Sequence, residues 1–172
     1  MIPFERTAEG TVAASFTDLE RELLTDLATQ VVELLGEPPL EEHHTDFTGI
    51  GGGDAASADP AIARLLPDAY RDDADASREF RRLTENSLAA RKVSNARALI
   101  GALAASGEIE LGAEAQQGWL RALADIRLIL ASRLGIENDG DDGRGETDAD
   151  LMMRDIYDWL GMVHGSLIEA LD

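Results

Sequence analysis

Residues 147–171, TDADLMMRDIYDWLGMVHGSLIEAL, contain the most regular apolar pattern in the chain and indicate the class of its fold. Apolar side chains recur there every three or four residues, which is the spacing of one face of an α-helix; they are Met152, Ile156, Trp159, Val163, Leu167 and Leu171. Thr147 or Asp148 is placed to cap the first turn. We therefore predict a last helix that packs against the core, with Met152, Met153 and Met162 as core filling.

The same period predicts helices elsewhere. Thr17 and Glu20 form a capping-box pattern before a stripe that ends near Gly36; its members are Leu19, Leu23, Leu27, Val31 and Leu34. Asp59 and Pro60 begin a short helix that Pro67 stops.

The segment from about 76 to 105 is also helical in pattern, and Thr84 is a candidate to recap it midway. A further stripe follows, and Gly135 stands after it at the usual left-handed cap position; the stripe is Trp119, Leu123, Ile126, Leu130 and Leu134. We expect this helix to be central.

Two β-prone runs, 3–6 and 11–16, flank the turn-like TAEG at 7–10 and predict a hairpin. The alternating run between Gly107 and Gly112 predicts a strand added to it. The predicted fold class is mainly α (α+β): a helical domain with a small two- to three-stranded antiparallel sheet. We expect one domain over 1–172, with mobile loops near 37–58, which is rich in proline and glycine, and 137–148, which is polar.

Composition excludes several classes of function. The chain has no cysteine, which rules out disulfides, thiolate catalysis and thiol redox sensing within it. It has no signal-peptide pattern and no apolar run of about 18 residues, so we expect a cytoplasmic protein without a membrane span. The formal charge of −19 disfavours nucleic acid and anionic lipid as partners.

The polar stretches contain weak candidates for a metal or phosphate site. His43 and His44 lie beside acidic residues, but adjacent residues rarely point at one metal ion. The acidic loop 137–148 resembles a calcium-binding loop whose ligand register fails, and the glycine-rich 49–54 lacks the lysine and hydroxyl of a phosphate loop. With no nucleophile and base in a recognisable context, we expect no catalytic residue, metal or cofactor.

A basic segment stands out against the acidic background. Residues 78–97 hold six basic and two acidic side chains, a local charge of +4. The six are a candidate partner-binding surface, since arginine forks suit carboxylates and phosphates; they are Arg78, Arg81, Arg82, Arg91, Lys92 and Arg97. The alternative is that they pair with the chain's own carboxylates.

Two features of the predicted helices have a structural and a functional reading. Lys92 lies between Leu88 and Ala96, on or beside an apolar stripe, so we expect a structural ion pair with a core-facing carboxylate, the alternative being a functional lysine. Gly161 and Gly165 lie one turn apart, which indicates tight packing inside the domain or, alternatively, a dimer seam.

Several motifs occur in the order found in one family. They are LLPDAY at 65–70, EFRRLT at 79–84, WLRALADIRL at 119–128, SRLGI at 132–136 and YDWLG at 157–161. With the first strand and helix, they make the chain resemble the actinobacterial family called domain of unknown function 2017 over nearly its whole length.

This resemblance implies a small helical protein without enzymatic activity, often encoded near a Clp protease adaptor, with some relatives named as oxidative-stress transcriptional regulators. Members proposed to sense oxidation use cysteine pairs, which this chain lacks.

We therefore expect a non-enzymatic regulatory or adaptor protein, with a role in stress-response regulation, that binds another protein through the helix face from Arg78 to Arg97 and aromatic positions near Tyr70. The alternative is a DNA-binding transcriptional regulator whose helix pair after Thr84 enters DNA. An enzyme or a metal-binding protein is a weaker reading. A homo-oligomer is compatible with the sequence.

Overall fold

A computed structural model describes residues 1–36, 59–67 and 77–172, apart from 139, 142, 144 and 146, with only the backbone described at 77–85. Two strands, β1 (Ile2–Arg6) and β2 (Val12–Ser15), precede the helices α1 (Asp18–Leu35), α2 (Pro60–Leu65) and α3 (Ser77–Leu103). Strand β3 (Ile109–Leu111) is followed by α4 (Ala113–Leu134) and α5 (Asp148–Leu171). The predicted fold class is confirmed. None of these helices is both long and apolar enough to cross a membrane.

The helix ends follow the local signals in the sequence. The Thr17 hydroxyl accepts a hydrogen bond from the Glu20 backbone N–H, and the Glu20 carboxylate accepts one from the Thr17 backbone N–H, at 3.3 and 2.8 Å. Thr147 forms the same reciprocal box with Asp150. Gly135 ends α4 with φ 70° and ψ 24°, which is left-handed backbone that glycine adopts without strain. These predicted caps are therefore confirmed.

The sheet is antiparallel throughout, in the order β1-β2-β3. Gly10, at φ 83°, lies in the turn between β1 and β2. Val12 pairs with Leu111, so β3 adds to the open edge of the hairpin as predicted. The sheet thus links the first residues of the chain to the segment just before α4.

Helix α4 lies at the centre of the domain. It contacts α1, α2, α3, α5 and β3, and its predicted stripe is buried throughout. The Trp119 ring packs edge-on against Phe4, with ring centroids 5.7 Å apart, and stacks on Phe16 at 6.2 Å. Buried side chains from every element join one cluster around this helix.

The turn after α3 is held by Arg21 of α1. Its guanidinium donates to the backbone carbonyl oxygens of Leu103 at 2.9 Å, Ala105 at 2.7 Å and Gly107. These bonds satisfy carbonyls that the end of a helix leaves without partners. They also fix the return of the chain toward β3 and α4.

The first strand and the last helix close the fold. The Phe4 backbone N–H donates to the Ser166 hydroxyl at 3.4 Å. The Arg6 guanidinium donates to the carbonyl oxygens of Ala170 at 3.2 Å and Leu171 at 2.7 Å, at the end of α5. Arginine is well placed at this negative end of the helix dipole.

Several predicted core positions are wrong. Leu19 is 75% exposed, because the buried face of α1 is rotated from the predicted stripe and consists of Leu24, Leu27, Ala28 and Val31. Met152 and Met162 are 67% and 63% exposed. The buried residues of α5 all lie from Leu160 onward, beyond Met152, and Met162 faces away from them.

Two predictions about the helix interiors are also wrong. Helix α3 runs unbroken through Thr84, so no cap divides it midway. Apart from its own helix, no described atom lies within 4 Å of where a Cβ on Gly165 would stand, so packing against the described residues does not explain this glycine. Gly161 does face a neighbour, since a Cβ there would lie 3.7 Å from the Arg127 guanidinium.

Candidate functional site

The predicted basic residues all lie on α3, and those whose side chains are described differ in exposure. Arg91 is exposed and Lys92 is half-buried, while Arg97 is exposed and has an interaction of its own. The side chains of Arg78, Arg81 and Arg82 lie outside the described residues, as do Tyr70 and His43 and His44. We therefore built the site outward from Arg91 and Lys92.

Lys92 forms an ion pair across the interface of α3 and α4. Its ammonium donates a hydrogen bond to Asp125 Oδ1, and the two side chains are only 16% and 5% exposed. The expected pair with a core-facing carboxylate is confirmed. Burial raises the pKa of the Asp125 carboxyl, and the Lys92 hydrogen bond and charge partly offset this. Asp125 Oδ2 is buried without a hydrogen-bond partner in the described structure.

A cavity of about 410 Å³ opens beside this ion pair. Its walls come from α3 and α4 and carry three basic side chains, Arg91, Lys92 and Arg121, which we call the basic end. Arg91 and Arg121 are exposed and form no ion pair with any described residue, whereas Lys92 is already paired with Asp125. Their guanidinium groups are therefore free to bind a carboxylate from another molecule.

Arg121 was missed at the sequence level. It lies in α4 among apolar residues, 29 positions from Lys92, and carries no local charge excess that would single it out. Only the side-by-side packing of the two helices brings it to Arg91. Its position on the face of α4 next to Ala124 and Asp125 is the one signal that helical periodicity could have given.

A second cavity, of about 610 Å³, continues along the same two helices. Ser94 and Asn95 line both cavities, so the two adjoin each other, and we call them together the α3–α4 groove. Half of the residues that line this second cavity are alanine or glycine, and Glu110 and Glu114 line it as well. The groove runs from Leu88 and Asp125 at the basic end to Ala102 and Gly112 at the other.

In the acidic loop before α5, one carboxylate accepts hydrogen bonds from the backbone of the loop. Asp141 accepts hydrogen bonds from the backbone N–H groups of Gly143 and Glu137, both at 3.1 Å, and these bonds lower the pKa of its carboxyl. Within the described part of the chain, no three histidine or acidic side chains converge as metal ligands. The mobility predicted for this loop stays a prediction.

The comparison with known families agrees with the motifs in the sequence. The family model described as Domain of unknown function (DUF2017) matches residues 1–171. The chain belongs to this family. It is also 31% identical, over 168 residues, to a protein of Mycobacterium leprae (strain TN) named "Putative oxidative stress regulator AosR". That match covers 87% of this chain and 77% of the relative. No solved structure matches the chain.

In this DUF2017 protein, Arg127 of α4 contacts helix α5. The Arg127 guanidinium lies over the Tyr157 ring, 4.7 Å from its centroid, and its Nε is buried without a hydrogen-bond partner in the described structure. Burial lowers the pKa of His164 on α5, and the nearby charge of Arg127 lowers it further. Arg127 thus contacts α5 through a ring face, which attracts a cation without neutralising it.

Proposed function

We propose that this DUF2017 protein is a non-enzymatic regulator that binds an acidic region of another protein through the basic end of the α3–α4 groove. The observation that carries the proposal is that neither the Arg91 nor the Arg121 guanidinium forms an ion pair with a described residue, in a chain with a net charge of −19. The chain has nineteen more acidic than basic side chains, so many of its own carboxylates could pair with these arginines. Neither arginine forms an ion pair with a described carboxylate. A carboxylate from another molecule would give both guanidinium groups an ion-pair partner.

The regulatory part of the proposal rests on the relative, whose printed name refers to oxidative stress. This chain has no cysteine, so a thiol cannot be the sensor within it. A role in stress-response regulation would then require that the redox signal reach it through its partner. The protein would act as an adaptor whose contribution is binding.

DNA binding has less support. The predicted helix pair after Thr84 is one continuous helix, α3, so this segment does not form a helix-turn-helix. The net charge also opposes approach to phosphate groups. A duplex-DNA binding assay over a range of salt concentrations tests this alternative directly.

The proposal is tested by charge reversal at the basic end. A partner is first identified by affinity purification from the native host with mass spectrometry, and its binding to the purified chain is then measured. Arg91→Glu and Arg121→Glu should each weaken binding at least about tenfold, because each replaces an attraction by a repulsion. The matched control is Arg64→Glu on α2, which makes the same change in net charge away from the groove.

Circular dichroism and thermal unfolding should show that all three variants fold like the parent. Equal binding by the parent and both folded groove variants would refute the proposal. DNA binding at low salt that depends on the same two arginines would replace it with the transcription-factor alternative.

A further inference from the structure

The α3–α4 groove is long enough to hold a segment of another chain. The stretch of α4 from Gly112 to Asp125 lines it, and thirteen residues of α-helix extend about 20 Å. The opposite wall runs along α3 from Leu88 to Ala102, a similar length. Both cavities share Ser94 and Asn95, so a segment that occupies both must pass over these two side chains.

The charge of the lining changes sign along this length. Arg91 and Arg121 line the basic end and are exposed, while Glu110 and Glu114 line the far cavity and are exposed. Glu110 accepts a hydrogen bond from the Thr11 hydroxyl at 2.6 Å, which holds its carboxylate in place without neutralising its charge. The groove is therefore positive at one end and negative at the other.

The middle of the groove is lined by small residues. Ala98 of α3 and Ala115 and Gly118 of α4 line it there. A Cβ at Gly118 would already lie 3.6 Å from Asn95 Oδ1, so a larger residue would begin to fill the space. Small side chains on two neighbouring helices leave an apolar trough into which larger side chains of another segment can fit.

We infer that the groove binds a protein segment with an acidic residue at one end, an apolar stretch in its middle and a basic residue at the other end. The acidic residue lies against Arg91 and Arg121, and the basic residue lies against Glu110 and Glu114. The reversed orientation would place like charges together at both ends, so the groove selects the direction of the bound segment as well as its composition. This inference rests on the proposed function and specifies the partner's chemistry.

The test uses a display library of random peptides, selected on the full chain. Peptides enriched on the parent should carry an acidic residue, an apolar run and a basic residue in one consistent order. Replacing the exposed Ala98 by Phe fills the middle of the groove and should weaken binding of a selected peptide at least about tenfold. Ala90→Phe is the matched control, since Ala90 is also exposed on α3 but does not line the groove. It should change binding less than about twofold.

A charge-swapped chain tests the direction. The variant R91E/R121E/E110R/E114R leaves the net charge unchanged and reverses the gradient, so it should enrich peptides with the opposite order of charges. Far-ultraviolet circular dichroism checks that this variant is folded, and the pair R91E/E110R serves as a milder swap if it is not.

The possible results separate this inference from the proposed function. Peptides that share only acidic residues, bind Ala98→Phe normally and depend on Arg91 and Arg121 would overturn the inference and leave the proposed function standing. If the parent and the charge-swapped chain enrich peptides with the same order of charges, the inference is also overturned. If no selected peptide distinguishes the parent from Ala98→Phe, the middle of the groove does not bind the segment and the inference is wrong. Binding of the host partner to the Arg91→Glu and Arg121→Glu variants then decides the proposed function alone.

Discussion

Lys92 of α3 and Asp125 of α4 form a largely buried ion pair at the floor of the basic end of the groove. This pair joins the two helices from which the groove is made. It also ties the position of Arg91, the next residue along α3, to the position of Arg121, one turn before Asp125 on α4. The stability of the domain and the geometry of its candidate site thus share one interaction.

Removing one partner of this pair should be costly. Asp125→Ala leaves the Lys92 ammonium partly buried and without its carboxylate, and we expect the free energy of unfolding to fall by about 3 kcal/mol. The double variant K92M/D125L, which replaces both charges by apolar groups, should recover most of that loss. Urea unfolding of the parent, K92M, D125L and K92M/D125L measures the coupling. Strictly additive effects would contradict a direct interaction.

The raised pKa of Asp125 predicts a specific pH dependence of stability. Because burial holds this pKa above the ordinary 3.8, the folded state binds the proton more tightly than the unfolded state does. The corresponding contribution is fully present below about pH 3.8 and is lost as the pH rises through the folded-state pKa. The stability of the parent relative to Asp125→Asn should therefore increase as the pH falls through this window. A constant difference across it would mean that the carboxyl is not perturbed.

His164 should respond to the charge of Arg127. Arg127→Gln removes that charge, so the pKa of His164 should rise toward its ordinary 6.5 and stay below it because burial remains. In the parent, neutral His164 favours the folded state above about pH 6.5, and this contribution is lost as the pH falls through the lowered pKa. Proton NMR of the imidazole follows the titration, with Arg133→Gln on the same helix as control. An unchanged pKa in Arg127→Gln would show that the two groups do not interact.

Two glycines should respond in opposite ways to alanine. Gly143 has φ 65°, and a Cβ there would lie 2.8 Å from Ile136 Cγ1 and 2.9 Å from the Leu134 carbonyl oxygen, so Gly143→Ala should destabilise the protein by more than about 1 kcal/mol. Gly165 lies inside α5 with open space around it, so Gly165→Ala should stabilise the protein by about 0.5–1 kcal/mol. Thermal unfolding compares the two. Destabilisation by Gly165→Ala would indicate that this position needs glycine for contacts outside the described chain.

Local features of the fold could be predicted because their causes are local. Thr17 and Glu20 form a cap from neighbouring residues, and Gly135 ends its helix through its own backbone freedom. Depth within the core could not be predicted as well. Helical period identified the buried face of α1 only approximately, so Leu19 fell outside it, and whether Met152 is covered depends on how far the neighbouring elements extend, which the residues around it do not encode.

The candidate site was only half predictable for the same reason. The position of Lys92 on an apolar face required a carboxylate partner, so the type of its contact followed from burial energetics. Which faces of α3 and α4 meet decides that this partner is Asp125. It also decides that Arg121 lines the same cavity as Arg91. Such non-local pairings arise only from tertiary packing.

The contact of β1 with α5 constrains the order in which parts of the chain can fold. Phe4 and Arg6 reach residues more than 160 positions away, so these bonds close loops that span most of the chain and incur their entropy cost late. The edge strand has no helix to lie against until α5 has been made and has docked. We expect β1 to be protected from proteolysis only when α5 is present.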